Sequence, residues 1–348
     1  MQPLEGKRVL VTGGTGSLGQ TVVRRLLTGE LGHPARVTVF SRDEAKQHSM
    51  RLEFLQHGAA TDEIIYRNSR ELLTFRIGNV RDYSSVLRAV RQADIVFHAA
   101  ALKQVPTCEY FPFEAVLTNV VGPHNIARAI QESASSVELV VGISTDKACK
   151  PVNVMGMTKA LQERIFIEAN RECPHARFLC VRYGNVIASR GSVIPRFLDQ
   201  IRRGGPVTIT LKKMTRFLLS LDGAVDTVFA AVRTGLAGET YVPQVPSARI
   251  LDVARVLIDG RDIAIAYTGI RPGEKVHEIM ISEEERYRTI ERDGHFVICP
   301  MLPELRQLPP QPPVLAGEYS SENVTLDLDG LRVLLSPYLT GPGPEVST

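Results

Sequence analysis

The sequence predicts an α/β fold in which a parallel sheet carries helices on both faces and is followed by a smaller C-terminal lobe. Three observations lead to this fold class. Short runs rich in Val, Ile and Leu alternate with longer amphipathic segments, which is the order of a doubly wound sheet. A glycine-rich turn follows the first run directly, and after about Asn185 the pattern loosens into pieces separated by Gly and Pro. We therefore predict two units, residues 1–185 and 186–348.

Six runs are predicted as buried strands, because they are short and mostly apolar. They lack the alternation of polar and apolar residues that is typical of a strand with one solvent-exposed face. Segments with helical periodicity separate them, the first running from Gln20 to Leu27. The six predicted strands are Arg8–Thr12, Arg36–Phe40, Leu73–Ile77, Ile95–His98, Leu139–Ile143 and Phe178–Tyr183.

The composition excludes several classes of protein. The 41 Lys and Arg exceed the 38 Asp and Glu by a net charge of only +3 and are scattered, so no nucleic-acid groove is expected. No apolar run approaches the roughly 18 residues of a membrane helix, and no signal peptide is expected. The 5 Cys are an odd number without a CxxC pair, so we expect free thiols, a cytoplasmic location and no metal site.

The turn after the first strand has the pattern of a dinucleotide-binding loop. It satisfies GxGxxG from Gly14 and GxxGxxG from Gly13, and it stands between a strand and a helix as such a loop requires. The glycines permit a tight turn and let a pyrophosphate rest on the helix N-terminus. The first unit is therefore predicted to be a Rossmann-type domain with these cofactor contacts: Thr12, Gly13, Thr15, Gly16, Ser17, Leu18 and Gly19.

The end of the second strand favours NADP over NAD. Ser41 and Arg42 offer a hydroxyl and a guanidinium to a ribose 2′-phosphate, and Lys46 adds a cation one turn later. Asp43 is a competing signal, since it could cap a helix or accept a ribose hydroxyl. After the third strand, Asn79-Val80 is predicted to contact adenine, with a simple turn or helix cap as the alternative.

Further blocks, in the same order along the chain, carry a resemblance to a known family. They are His98-Ala99-Ala100-Ala101-Leu102-Lys103-Gln104-Val105-Pro106, Thr118-Asn119-Val120-Val121-Gly122, Ser144-Thr145-Asp146-Lys147, Met155-Gly156-Met157-Thr158-Lys159, Arg182-Tyr183-Gly184-Asn185-Val186, Ser189-Arg190-Gly191-Ser192-Val193-Ile194-Pro195, Met214-Thr215-Arg216-Phe217 and Arg271-Pro272-Gly273-Glu274-Lys275. The chain thereby resembles the soluble, capsular-polysaccharide type of C5-inverting UDP-N-acetylglucosamine 4,6-dehydratase, an extended short-chain dehydrogenase/reductase.

Two positions depart from the family pattern. Met155 stands four residues before Lys159, where short-chain dehydrogenases usually carry a catalytic Tyr. One branch of the dehydratases also looks to carry Met there. Asn79 stands where family members more often have Asp, which puts the adenine contact in doubt and leaves the chemistry unaffected.

The resemblance implies a reaction in which hydride leaves C4, water is lost across C5 and C6, and hydride returns to C6. The product would be UDP-2-acetamido-2,6-dideoxy-β-L-arabino-4-hexulose. Asp146 would protonate the 6-hydroxyl, and Lys147, with its pKa lowered by burial and a cationic neighbour, would remove the C5 proton. Thr145 would relay the 4-hydroxyl proton, and Lys159 would hold the nicotinamide ribose unless it is a surface lysine paired with Glu163.

The resemblance also supplies the remaining binding residues and an assembly. A closed homo-oligomer is implied, with a hexamer as the size considered. Lys103 is expected at both the cofactor and the substrate. The other expected cofactor contacts are Ala99, Ala100, Ala101, Asn119, Lys159, Tyr183 and Gly184, and the substrate contacts are Asn185, Ser192, Val193, Arg216, Arg271 and Glu274.

Three other functions remain open on the same fold. A UDP-sugar 4-epimerase generally keeps the catalytic Tyr, and a C5-retaining dehydratase typically has an Asp-Glu pair in place of Asp146-Lys147. A non-catalytic NADP-binding regulator is the third, since a fold does not determine a function.

Overall fold

The computed structural model describes residues 2–54, 71–187, 192–307, 309 and 311–339. Ser189, Arg190 and Gly191 of the matched blocks lie outside the described residues. The strands of the described part are β1 (Arg8–Thr12), β2 (Arg36–Ser41), β3 (Leu73–Ile77), β4 (Ile95–His98), β5 (Leu139–Ile143), β6 (Arg177–Val181), β7 (Val207–Ile209), β8 (Thr215–Phe217), β9 (Thr240–Pro243), β10 (Ser247–Arg249), β11 (Ile265–Tyr267), β12 (Ile279–Ile281), β13 (Thr289–Arg292), β14 (His295–Ile298) and β15 (Tyr319–Ser320).

Helices connect these strands. The α-helices of the described part are α1 (Ser17–Leu27), α2 (Glu44–Phe54), α3 (Tyr83–Val90), α4 (Val105–Tyr110), α5 (Pro112–Val116), α6 (Gly122–Glu132), α7 (Val154–Glu172), α8 (Val193–Arg202), α9 (Leu221–Thr234), α10 (Ile250–Ile258) and α11 (Leu328–Leu339). Within the described ranges, no helix is long and apolar enough to cross a membrane.

The central sheet has nine strands in the order β13-β14-β9-β6-β5-β4-β1-β2-β3. From β6 to β3 every neighbouring pair is parallel, and these are the six strands predicted from the sequence. The predicted α/β class with a doubly wound sheet is confirmed. β9 joins β6 in parallel, and β14 and β13 follow antiparallel. These last three strands were not predicted, so the segment after residue 186 contributes to the sheet as well as to a second lobe.

Each face of the sheet is buried in its own apolar core. Within β1, Val9 and Val11 pack into the core with α1 and α9, whereas Leu10 packs into the opposite core with α3, α6 and α7. Burial on both faces explains why the strands are continuous apolar runs.

The second lobe has a core of its own. Helices α8, α10 and α11 pack around the parallel pair β7 and β11. Phe217, Val242 and Met280 form part of a smaller core that joins β8 and β12 to the edge of the main sheet. The two lobes therefore meet beside the carboxyl ends of the parallel strands.

Candidate active site

The carboxyl ends of the parallel strands open into a cleft of about 750 Å³. It lies at the point where the strand order reverses between β1 and β4, which is where ligands bind in open α/β sheets. Most of the residues expected at the site line this cleft: Gly13, Thr15, Gly16, Ser17, Leu18, Gly19, Ser41, Arg42, Lys46, Asn79, Val80, Ala99, Ala100, Ala101, Lys103, Thr145, Asp146, Lys147, Lys159, Tyr183, Gly184, Asn185, Ser192, Arg271 and Glu274.

The glycine turn after β1 leaves room only for small residues. Gly13 has φ 68°, and a Cβ there would lie 2.6 Å from the backbone nitrogen of Ala100. Helix α1 starts at Ser17 after Gly16, and no side chain in the described part of the chain caps its first N–H groups. Those N–H groups lie at the end of the helix that faces the cleft, where they can donate hydrogen bonds to an anion. The turn therefore fits the pyrophosphate of a dinucleotide.

At the end of β2, Asp43 acts as the cap of α2. Its carboxylate accepts a hydrogen bond from the Lys46 backbone N–H at 3.0 Å and lies 3.3 Å from the Lys46 ammonium. The hydrogen bonds and charge of Lys46 lower the pKa of Asp43. Ser41 Oγ accepts from Gln47 at 3.0 Å, so its own O–H can still donate, and Arg42 is exposed at the cleft.

Asn79 forms a turn. Its Oδ1 accepts from the Arg81 N–H at 3.1 Å and its carbonyl oxygen from the Asp82 N–H at 3.0 Å. The alternative of a simple turn therefore describes the local structure, while the adenine contact stays a prediction.

Thr12 and Asn119 lie behind the cleft lining. Thr12 Oγ1 is hydrogen-bonded to His98 Nδ1 at 2.8 Å, and burial lowers the pKa of His98 to about 3. Asn119 is fully buried and makes two hydrogen bonds to the backbone of Leu102. Its Oδ1 accepts the Leu102 N–H at 2.8 Å, and its Nδ2 donates to the Leu102 carbonyl oxygen at 2.9 Å. Both residues therefore position the loop that follows β4, and a direct cofactor contact stays a prediction.

Arg216 and Val193 also lie outside the lining. The Arg216 guanidinium donates to the carbonyl oxygens of Thr215, at 2.7 Å, and of Lys275, at 3.0 Å. In this structure Arg216 therefore fixes the backbone at Lys275 by a hydrogen bond. Val193 packs against the core of the second lobe. Substrate contact by either residue stays a prediction.

A short turn after β5 carries Thr145, Asp146 and Lys147. Asp146 is fully buried, and its Oδ1 accepts from Thr145 Oγ1 at 2.8 Å and from Lys147 Nζ at 3.1 Å. Its Oδ2 has no hydrogen-bond partner among the described residues. One oxygen of this carboxylate is thus free to bind a ligand while the other holds the lysine.

Lys147 has a second acidic neighbour that the sequence analysis missed. Glu278 Oε1 lies 3.4 Å from Lys147 Nζ and is buried. Burial acts to lower the pKa of Lys147, but the carboxylates of Asp146 and Glu278 outweigh it, and the pKa is raised. The expectation of a lowered pKa is wrong for this structure, because the negative charges of Asp146 and Glu278 raise the pKa more than burial and the cationic neighbour lower it.

The N-terminus of α7 approaches the Lys147 turn through Gly156, where a Cβ would overlap the Lys147 carbonyl oxygen. Asn153 caps the helix by accepting the Gly156 N–H at 2.8 Å, and it donates to the Gly273 carbonyl oxygen at 2.8 Å. Met155, at the usual Tyr position, is buried against an apolar cluster and lines the cleft. Its thioether has no titratable proton.

Lys159 is buried, so the surface lysine considered as an alternative is wrong. Its Nζ donates to the Ile143 carbonyl oxygen and to Gln162 Oε1, both at 2.5 Å, and burial lowers its pKa to about 8. Glu163 pairs instead with buried Arg182 at 2.6 Å.

Several buried acceptors along the cleft lack partners among the described residues. They are Asp146 Oδ2, Asn185 Oδ1 and Ser192 Oγ, with Glu278 Oε2 behind Lys147. Buried polar atoms in native proteins are normally satisfied. The first three therefore suit a ligand rich in hydroxyl and N–H donors.

The strand order, the glycine turn and the cleft together define a Rossmann-type extended short-chain dehydrogenase/reductase fold. Within that class, the profile of the polysaccharide biosynthesis protein family matches residues 9–300. The chain belongs to this family.

Individual relatives agree with this membership. A Rickettsia akari protein named UDP-glucose 4-epimerase is 43% identical over 297 residues, covering 84% of this chain and 82% of its own length. The X-ray structure of Pen from Bacillus thuringiensis superposes with a TM-score of 0.84 at 34% identity, covering 96% of this chain and 98% of Pen. DesIV, a dTDP-glucose 4,6-dehydratase from Streptomyces venezuelae with NAD bound, shares the fold at 21% identity and a TM-score of 0.65, covering 77% and 86%.

Proposed function

We propose that this chain is an NADP-dependent UDP-N-acetylglucosamine 4,6-dehydratase that inverts C5. The observation that carries the proposal is the hydrogen bond between Asp146 and Lys147 in a cleft whose Tyr position is Met155. This site contains a carboxyl group and an amine that can exchange a proton, without the phenol that serves other members of the fold. Family membership and a relative named for a UDP-sugar support a nucleotide-sugar substrate.

The glycine turn and the end of β2 would hold the cofactor. When bound, the cofactor would supply the oxidation at C4 and the reduction at C6. The free N–H groups of α1 would bind the pyrophosphate, and Ser41 and Arg42 the 2′-phosphate. Lys159 would move from the Ile143 carbonyl oxygen to the ribose hydroxyls, and Lys103 lies at the rim of the same region.

Asp146 and Lys147 would supply both the acid and the base. A proton passing along their 3.1 Å hydrogen bond, from Nζ to Oδ1, leaves a neutral amine beside a carboxylic acid. Lys147 then takes the C5 proton, which the 4-keto group acidifies, and Asp146 gives its proton to the 6-hydroxyl, which leaves as water. The pair returns to ammonium and carboxylate. Thr145 would relay the 4-hydroxyl proton to water, and after hydride return to C6 a proton from solvent-exchanged groups would be added to C5.

Substrate binding would use the free acceptors and the loop at 271–274. Asn185 Oδ1 and Ser192 Oγ have no hydrogen-bond partner within the described ranges, and they would bind the sugar. Arg271 is half exposed, with its guanidinium 4.0 Å from Glu274, and would grip the diphosphate. We retain a closed homo-oligomer in the cytoplasm as part of the proposal.

The product formed in heavy water tests the reaction. From UDP-N-acetylglucosamine we expect a 4-keto-6-deoxy sugar of L-arabino configuration with deuterium at C5, because the proton returned to C5 comes from solvent-exchanged groups. Proton NMR during the first turnovers measures both features. A D-xylo product at first appearance would reject inversion and retain dehydration.

A 4-epimerase is the second candidate, because the Rickettsia akari relative carries that name. Its product would keep the 6-hydroxyl and differ only at C4, so the same NMR spectra distinguish the two. Tight cofactor binding without any turnover of UDP-sugars would instead support the non-catalytic regulator.

The choice of cofactor is tested at Arg42. We expect the purified protein to carry NADP, and Arg42→Asp to shift its preference towards NAD, because a carboxylate repels the 2′-phosphate. Mass spectrometry of the released nucleotide and affinities for both cofactors measure this. Arg36→Ala, at the opposite end of β2, is the control for loss of one exposed Arg. Bound NAD alone, with Arg42→Ala changing neither affinity, would contradict the assignment.

A further inference from the structure

Glu278 is held rigidly beside the proposed base. Its N–H donates to Ser321 Oγ at 2.9 Å, and its carbonyl oxygen accepts the Ser321 N–H at 2.8 Å. Ser321 Oγ is in turn hydrogen-bonded to Thr215 Oγ1, which also contacts His277 Nδ1, both at 2.7 Å. The backbone on either side of Glu278 is therefore fixed between β8 and the end of β15.

The Glu278 carboxylate is directed at Lys147. It is 2% exposed, and its Oε1 lies 3.4 Å from Lys147 Nζ and 3.8 Å from Arg216 Nε. Arg216 is occupied by backbone carbonyl oxygens, so Lys147 is the nearer cation for this carboxylate. A carboxylate buried this deeply is costly unless it is paired, which argues that the contact with Lys147 is maintained.

We propose that Glu278 is a positioning residue, which together with Asp146 holds the Lys147 ammonium between two carboxylates and sets the pH at which Lys147 becomes a free amine. The charged groups facing Lys147 are Asp146, Glu278, Arg216 and Lys275. Lys147 Nζ contacts Oδ1 of Asp146 and Oε1 of Glu278, so the ammonium is held by one oxygen of each carboxylate. The role in catalysis rests on the proposed function, whereas the pairing itself does not.

The pairing is tested by trace acetylation of the purified protein with acetic anhydride at a series of pH values, read by peptide mass spectrometry. Only the neutral amine reacts. In Glu278→Gln the lost negative charge lowers the pKa of Lys147, so acetylation of Lys147 relative to exposed Lys213 at pH 8 should rise by at least ~10-fold.

Glu239→Gln is the matched control, since Glu239 is equally buried at 2% exposure and pairs with Arg292 at 2.6 Å, away from Lys147. Its labelling curve should match that of the parent. If Glu278→Gln does not fold, Glu278→Asp withdraws the carboxylate by one methylene and should give a smaller shift in the same direction. A folded Glu278 variant with an unchanged Lys147 curve overturns the proposal.

Kinetics connect the pairing to catalysis. If dehydration is observed, the alkaline limb of kcat/KM should move to lower pH in Glu278→Gln, in parallel with the labelling curve, because the Asp146–Lys147 pair loses its shared proton to solvent more readily. A labelling shift without movement of that limb would overturn the positioning role. Absence of the 4-keto-6-deoxy product from the parent protein would reject the proposed function and leave the labelling result standing.

Discussion

Lys147→Ala should abolish water loss, with turnover falling by at least ~10²–10⁴-fold, the usual effect of removing a general base. The fall is expected because Lys147 is the amine that is hydrogen-bonded to Asp146. Product formation from UDP-N-acetylglucosamine, followed by NMR, measures it. Lys147→Arg is the sharper variant, since it keeps a positive charge for Asp146 and Glu278 but cannot lose its proton near neutral pH.

Met155 provides the comparison at the usual Tyr position. Met155→Leu conserves volume in the buried cluster with Cys108 and Ala115, so it should keep most of the parental turnover. Met155→Ala should also retain substantial turnover, with a stability loss of roughly 2–5 kcal/mol from the cavity. The assignment of Lys147 as the base would be contradicted if Lys147→Ala kept nearly full activity while Met155→Ala was inactive. The Met155→Ala protein must be folded and bind cofactor for this comparison to hold.

The features predicted correctly are those with a local physical cause. The six parallel strands are buried on both faces and are therefore continuous apolar runs, and Gly13 is needed where the chain touches Ala100. Residues that directly follow parallel strands, such as Asp146 and Gly184, meet at one edge of the sheet because all six strands run the same way.

The features that were missed depend on contacts between distant segments. Glu278 lies beside Lys147 with its backbone hydrogen-bonded to Ser321, 43 residues away in sequence, and no local pattern indicates that bond. The four-residue spacing of Lys159 and Glu163 suggested a surface pair, yet that face of α7 is buried and Arg182 on the adjoining strand segment binds Glu163. Arg216 was likewise predicted to bind the substrate, whereas its guanidinium donates hydrogen bonds to backbone carbonyl oxygens.

Asp146→Asn should separate oxidation from elimination. The amide keeps the size of the carboxyl group and can still accept hydrogen bonds from Thr145 and Lys147, but it cannot protonate a departing hydroxyl. We therefore expect the 6-deoxy product to fall by ~10²-fold or more, as for loss of a general acid.

The two halves of the reaction then give different signals in the Asp146→Asn protein. Oxidation at C4 should persist as a transient NADPH absorbance. Loss of the Asp146 carboxylate lowers the pKa of Lys147, so its neutral amine, formed by proton loss to solvent, should still exchange the C5 proton of the bound 4-keto sugar for deuterium. Asn185→Asp is a useful comparison, because it alters a cleft side chain whose Oδ1 has no partner among the described residues and leaves the Asp146–Lys147 hydrogen bond in place. Parental yields of 6-deoxy sugar from Asp146→Asn would contradict the assignment of Asp146 as the acid, and another proton donor would have to stand at the 6-hydroxyl.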